Sequence, residues 1–156
     1  MRILVMSDMH GRKSNFEKAV EAQNEALDVV FLGDGASDAK ELSSFFKGKK
    51  FHIVSGNCDF SSPFPATQYL NIGGIKILAT HGHIYGVKHG MERLYEAAKA
   101  SGVNIALYGH THNPKIEYVD GIYFVNPGAL CGIGGSPTYA AVDIVPNGIF
   151  PNIIKL

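Results

Sequence analysis

Five times along the chain a short apolar run ends abruptly in a small cluster drawn from Asp, Asn, His and Gly. Ile3 to Met6 leads into Asp8-Met9-His10-Gly11, Val29 to Leu32 into Gly33-Asp34-Gly35, and Phe51 to Val54 into Gly56-Asn57-Cys58-Asp59. Downstream, Ile75 to Ala79 leads into Thr80-His81-Gly82-His83, and Ile105 to Tyr108 into Gly109-His110-Thr111-His112. Strands of a largely parallel sheet present their carboxyl ends along one edge, and open α/β sheets bind ligands in the crevice beyond that edge. Five polar clusters at five strand ends can therefore form one site.

Between these runs the pattern is helical in the first half and turns to hairpin signals in the second. Ser14 and Glu17 have capping-box spacing ahead of Phe16, Ala19, Val20 and Leu27, which predicts a helix from about Asn15 to Ala26. Asp38 and Glu41 repeat that spacing before Leu42, Phe45 and Phe46, and Met91, Leu94, Tyr95 and Ala98 hold helical spacing up to Gly102. The pairs Gly73-Gly74, Asp120-Gly121 and Asn147-Gly148 sit between apolar or alternating runs and predict three hairpins. The expected class is α/β, a mixed sheet flanked by helices, with two packed sheets the fuller form.

The 156 residues match the prior of about 150 per domain, so 1–156 is read as a single domain. Fourteen Lys and Arg balance fourteen Asp and Glu, which leaves no basic field for broad nucleic-acid binding. The first apolar run stops at Ser7-Asp8, too short for a leader or a membrane span, so a cytoplasmic location is expected. Cys58 and Cys131 can form at most one bridge and neither lies in a C-x-x-C pair, which excludes a disulfide scaffold. Hairpin edges leave room for pairing between copies, so a homo-oligomer is an open expectation.

Taken singly, the clusters read as turn chemistry: Asp8 as an Asx turn, Asp34 and Asn57 as loop residues beside glycine. The histidines argue otherwise, because His10, His81, His83, His110 and His112 all fall in the clusters and only His52 and His89 lie outside. His52 reads as a strand residue with a hydrogen-bonded ring, and His89 as a residue near the third helix's start. Carboxylate, amide oxygen and imidazole together suit divalent ions of borderline hardness. The candidate ligands Asp8, His10, Asp34, Asn57, His81, His110 and His112 are too many for one tetrahedral site and suit two ions that share a carboxylate.

The motifs D-x-H at Asp8 and His10, G-D at Asp34, G-N at Asn57, T-H-G-H at His81, and G-H-T-H at His110 and His112, closed by Asn126-Pro127-Gly128, resemble those of the calcineurin-like metallophosphoesterase superfamily. The short chain looks most like its small bacterial and archaeal phosphodiesterases, which are similar in turn to a metallophosphoesterase-like retromer subunit. The resemblance implies a four-layer αββα sandwich of two mixed sheets. It implies that Asp8, His10, Asp34 and His112 hold one ion and Asp34, Asn57, His81 and His110 the other, with Asp34 bridging. Manganese is the first expectation, with nickel, iron, zinc or magnesium as alternatives.

The expected chemistry is hydrolysis of a small phosphoester by a hydroxide bridging two ions about 3.5–4 Å apart, with Asp34 and Asn57 in the catalytic set. The family commonly has histidine after the asparagine; here it is Cys58, a poorer proton donor at neutral pH. His83 and Asp59 are the other candidates for that proton, each with a loop or supporting role as its plainer reading. A site without a cap is open and favours diesters. There is no phosphate-binding G-x-x-x-x-G-K-[ST] loop, no G-x-S-x-G elbow, and no arginine six residues after either cysteine. His81-Gly82-His83 lacks the final Asp-His of the metallo-β-lactamase motif. A protein-binding scaffold of the same fold, with a vestigial metal site, is the alternative function.

Overall fold

Each apolar run becomes a strand whose carboxyl-terminal residues are buried on both faces, which is why it lacks the polar alternation of a half-exposed strand there. In the computed structural model, which describes residues 1–156, the order is β1 (Arg2–Met6), α1 (Lys13–Ala22), β2 (Asp28–Phe31), α2 (Ala36–Ser43), β3 (Lys50–Ile53), β4 (Thr67–Ile72) and β5 (Ile75–Thr80). A single 3-10 turn at His83–Tyr85 precedes α3 (Glu92–Ser101), and β6 (Ile105–Leu107), β7 (Lys115–Val119), β8 (Ile122–Asn126), β9 (Thr138–Val145) and β10 (Gly148–Lys155) follow. The strands form two five-stranded sheets, β10-β9-β1-β2-β3 and β4-β5-β6-β8-β7.

Side-chain alternation assigns the layers. In β1, Leu4 and Met6 pack with Phe16, Val20, Ala39 and Leu42 of α1 and α2, whereas Ile3 and Val5 turn inward. There they meet Ile77 and Ala79 of β5, Ile105 and Leu107 of β6, and Val125 of β8. On the far side Leu78, Ala106 and Phe124 pack with Leu94 and Ala98 of α3. Three apolar seams thus join four layers, helix pair, sheet, sheet and helix, as in the expected αββα sandwich. The centre of each sheet is parallel, β1-β2-β3 in one and β5-β6-β8 in the other. The five clusters therefore leave from two sheets rather than one. No helix is long and apolar enough to cross a membrane.

Three local expectations are corrected. The first helix runs Lys13–Ala22, not Asn15 to Ala26, and its cap position is Arg12, so Ser14 and Glu17 lie inside it and form no capping box. It begins early because Arg12 N–H donates to Met9 O (2.9 Å) and Asn15 N–H to Arg12 O (3.0 Å), winding the chain into the helix directly from the polar cluster. It ends early because Gln23 is held by Tyr139 Oη (3.0 Å) and Arg2 Nη1 (3.2 Å), which leaves Leu27 63% exposed beyond it. In the second helix Asp38 lies in the first turn and Gly35 at the cap; Phe45 is beyond its end and exposed. The third hairpin turns on Pro146-Asn147, since Val145 pairs with Gly148, because Gly148 at φ +142° already extends into β10. Gly73-Gly74 and Asp120-Gly121 do form two-residue turns with φ positive at both positions, matched to the strand twist.

Candidate metal centre

The carboxyl ends of β1, β2, β3, β5 and β6 meet at the seam between the sheets, and past the ends of β1, β2 and β6 the candidate ligands are held in a conformation a side chain rarely adopts. Asp8 (φ 54°), His10 (φ 42°), Asp34 (φ 56°), His110 (φ 70°) and His112 (φ 58°) account for five of the seven residues other than glycine with positive φ. Such strain persists only where the surroundings over-determine it. Packing supplies that constraint. A β-carbon on Gly56 would overlap the Asp34 carboxylate, and one on Gly109 would overlap the Ser7 hydroxyl, so glycine beside each ligand is a requirement of close approach.

The donor atoms converge. His81, fully buried, places Nδ1 2.7 Å from Leu32 O, a contact that fixes the proton on Nδ1 and leaves the Nε2 lone pair facing inward. That Nε2 meets Asn57 Oδ1 at 3.1 Å, His110 Nδ1 at 3.1 Å and Asp34 Oδ2 at 3.5 Å. Asp34 Oδ2 is also 3.6 Å from His10 Nε2, so one carboxylate oxygen faces both halves of the cluster. Asp8 Oδ2 accepts from Ser7 Oγ (2.6 Å) and the His110 N–H (3.1 Å). Its Oδ1, buried, makes no well-formed hydrogen bond, with His112 Nε2 3.1 Å away. His10 Nε2 and His112 Nε2 are 3.4 Å apart.

Burial pushes the His110 imidazole down to about 4, helped by His81 and Lys88, so it is neutral at pH 7 and has a lone pair to offer. Burial also works against the Asp8 carboxylate, yet His112, His81 and the Ser7 hydroxyl outweigh it and hold the group below the usual range. The Asp8 contact raises His112 in return. The Cys58 thiol is raised by burial and by Asp34 beside it, so it keeps its proton at neutral pH. Burial, with His81 close by, lowers His83.

Asp59 takes the supporting role of its plainer reading, and Asn126 of the closing motif takes another. Asp59 uses both carboxylate oxygens to accept from the backbone N–H groups of Asp34, Gly35, Ala36 and Gly56, at 2.8–2.9 Å. It clamps two of the clusters together and caps α2, and its oxygens are committed to that role rather than to a substrate. Asn126 Nδ2 donates to Gly109 O and Thr111 Oγ1 (both 3.0 Å), bracing the loop of His110 and His112, while its Oδ1 accepts from Gly128 N–H (2.9 Å). His52 is a strand residue with Nε2 2.8 Å from Asp28 Oδ1, and His89 precedes α3 outside the cluster.

The chain matches the family profile of the calcineurin-like phosphoesterase superfamily domain over residues 1–147. It belongs to that superfamily. A phosphodiesterase of Methanocaldococcus jannaschii is 28% identical over 160 residues, covering 92% of this chain and 93% of the relative. Vacuolar protein sorting-associated protein 29 of Schizosaccharomyces pombe is 32% identical over 167 residues, covering 98% and 85%. The crystal structure of a Streptococcus pneumoniae TIGR4 protein described as a predicted phosphoesterase superposes with a TM-score of 0.85 at 29% identity, covering 99% of this chain and 88% of that one.

Calcineurin-like phosphoesterases imply divalent ions, and the donor set of this member fits them. Asp8, Asp34 and His81, all buried, bring one donor atom each within 4.8 Å of one another. His81 Nε2 is an acceptor facing the acceptor oxygen of Asn57, an arrangement that a cation resolves and a hydrogen bond does not. The 3.4 Å between His10 and His112 is close to the roughly 3.3 Å that two nitrogens subtend on one tetrahedral ion at bond lengths of about 2.0–2.1 Å. Two clefts flank the cluster. One of about 410 Å³ runs past His112, Thr111, Asn113, Ser136 and Lys155. The other, about 370 Å³, holds His10, Asp34, Cys58 and the 88% exposed ring of Phe60. His83, on the 3-10 turn, stands apart from the hydrogen-bonded set: its ring is 5.4 Å from that of His81 and its Nδ1 is buried without a partner.

Proposed function

We propose that residues 1–156 form one metallophosphoesterase domain that hydrolyses a small phosphodiester at this cluster. The observation that carries the reading is the convergence of carboxylate, amide and imidazole donors from five strand ends on two sheets around one point. Asp8, His10, Asp34 and His112 are assigned to one divalent ion and Asp34, Asn57, His81 and His110 to a second, with Asp34 shared because its Oδ2 faces His10 and His81 alike. Manganese suits such a mixed oxygen and imidazole set, with nickel, iron, zinc or magnesium as alternatives. When bound, a divalent pair acidifies water toward neutral pH and offsets charge on phosphoryl oxygens.

The protein's own groups do the rest. The Leu32 carbonyl holds His81 in the tautomer that presents Nε2. The Cys58 N–H donates to Asp34 Oδ1 (2.8 Å), fixing the carboxylate plane so that Oδ2 points into the cluster. Cys58, with its proton retained, and His83, whose ring lies 5.4 Å from that of His81, are assigned to the substrate's leaving oxygen. The two clefts, one on each side, take the two ester arms of a diester.

The test is direct. After removal of metal by chelation and return of manganese, release of a chromogenic alcohol from a generic phosphodiester is expected, with turnover lost in His112→Ala. No turnover from protein that binds manganese tightly would overturn the enzymatic reading. A protein-binding role is the second reading, favoured by the similarity to the Schizosaccharomyces pombe relative. A partner captured equally well by His112→Ala would support it.

A further inference from the structure

Cys131 belongs to none of the metal-ligand motifs, yet the fold brings it to the cluster. The Leu130 N–H donates to Ser7 O and the Cys131 N–H to Asp8 O, both at 3.0 Å, and Asn15 Nδ2 holds Leu130 O at 2.8 Å. These bonds lay the segment alongside the loop that carries Asp8 and His10. As a result the Cys131 thiol sulfur and one ring nitrogen each of His10 and His112 lie within 4.8 Å of one another. The thiol is free and half-buried. Its donor set, two imidazoles and a sulfur, is softer than the carboxylate, amide and imidazole set of the remaining ligands.

We propose that Cys131, His10 and His112 form a binding site for a soft divalent ion such as zinc or cadmium, in competition with the ion assigned to the same two histidines. On binding, the Cys131 S–H bond breaks, its proton passes to solvent and the sulfur takes the metal; no electron changes hands. Thiolate favours zinc-like ions, whereas the oxygen-rich remainder favours manganese-like ions. Three protein donors with a fourth position left to water is a common arrangement for zinc. A soft ion seated there withdraws His10 and His112 from the centre and inhibits it. The inhibition rests on the proposed phosphoesterase reading; the binding of the soft ion does not.

The experiment is a titration of chelator-stripped protein with cadmium chloride, following the ultraviolet charge-transfer band of a thiolate–cadmium bond. The wild type and Cys58→Ser are expected to show the band. Cys131→Ser and Cys131→Ala are expected to lose it, with cadmium affinity reduced at least tenfold and an unchanged far-ultraviolet spectrum. A band absent from the wild type, or lost in Cys58→Ser and kept in Cys131→Ser, would overturn the proposal. Manganese-dependent diester hydrolysis measured on the same samples separates the two readings. A Cys131-dependent band without turnover supports the soft-ion site and counts against the enzyme, and turnover without a band does the reverse.

Discussion

At the scale of single residues, the Asp34 carboxylate is the hinge of the centre, since its Oδ1 is tied to the Cys58 N–H and its Oδ2 faces both halves. Asp34→Asn keeps the shape and removes the charge. It is expected to lower kcat on a phosphodiester by at least a hundredfold while the melting temperature moves by only a few degrees, and near-normal turnover at full metal occupancy would contradict the shared role. Cys58 stands at the mouth as a neutral thiol, a weak acid compared with an imidazolium. Cys58→Ala is accordingly expected to lower kcat less than tenfold. A second kind of residue effect is purely electrostatic. Arg2 binds Asp143 through Nε (2.8 Å) and Nη2 (2.9 Å), linking β1 to β9, and holds its carboxyl below the ordinary value. A depressed carboxyl stabilises the fold above the unfolded value of about 3.9 and loses that contribution as pH falls through the folded value. Asp143→Asn is thus expected to melt slightly below the wild type at pH 7, by about 1 kcal/mol at most for so exposed a pair. The gap should close as pH falls through the lowered value of the Asp143 carboxyl.

At the scale of elements, the strand ends work only because loops are tied to one another. Asp59 makes four bonds to backbone N–H groups spread over two loops and the start of α2. Asp59→Asn exchanges one acceptor oxygen for a donor aimed at donors, and unmet bonds of this kind cost about 1–3 kcal/mol each. The variant is expected to lose about 2 kcal/mol or more by chemical denaturation and to bind manganese more weakly in calorimetry. The sequence marks Asp59 only as a candidate with a loop or supporting role; the clamp itself lies in which amides it reaches, and three of the four are 23 to 25 residues away in a different loop. The same holds for Asn126, whose partners are in the Gly109–Thr111 loop. Helix limits were misjudged for a related reason: Gln23 leaves α1 to meet Tyr139 and Arg2, an attraction far away in sequence that local spacing does not contain.

At the scale of the whole molecule, the centre lies on the seam between two sheets, so each sheet contributes donors that face those of the other. Around His81 Nε2 this gathers lone pairs of Asn57, His110 and Asp34 that a cation would satisfy. Manganese is expected to raise the melting temperature: binding at a hundred times Kd contributes about 2.7 kcal/mol, or very roughly 5–10 °C for a chain of this size. A thermal shift measured with and without chelator checks it, and no shift at millimolar manganese would argue against the site.

The sequence by itself determined the family, the set of candidate donors and much of the architecture. Runs such as Ile3 to Met6 are apolar throughout because both faces of a central parallel strand are buried, and Asp, Asn, His and Gly appear where each run stops because those types tolerate the strained turn and carry the donors. Two glycine turns set their hairpins by backbone conformation alone. What only the tertiary structure decided is the partition of ten strands into two sheets, the facing of donors across the seam, the clamp at Asp59, and the arrival of Cys131 beside His10 and His112. Those depend on contacts between residues as far apart as Arg2 and Asp143, 141 positions, which no local period or spacing encodes.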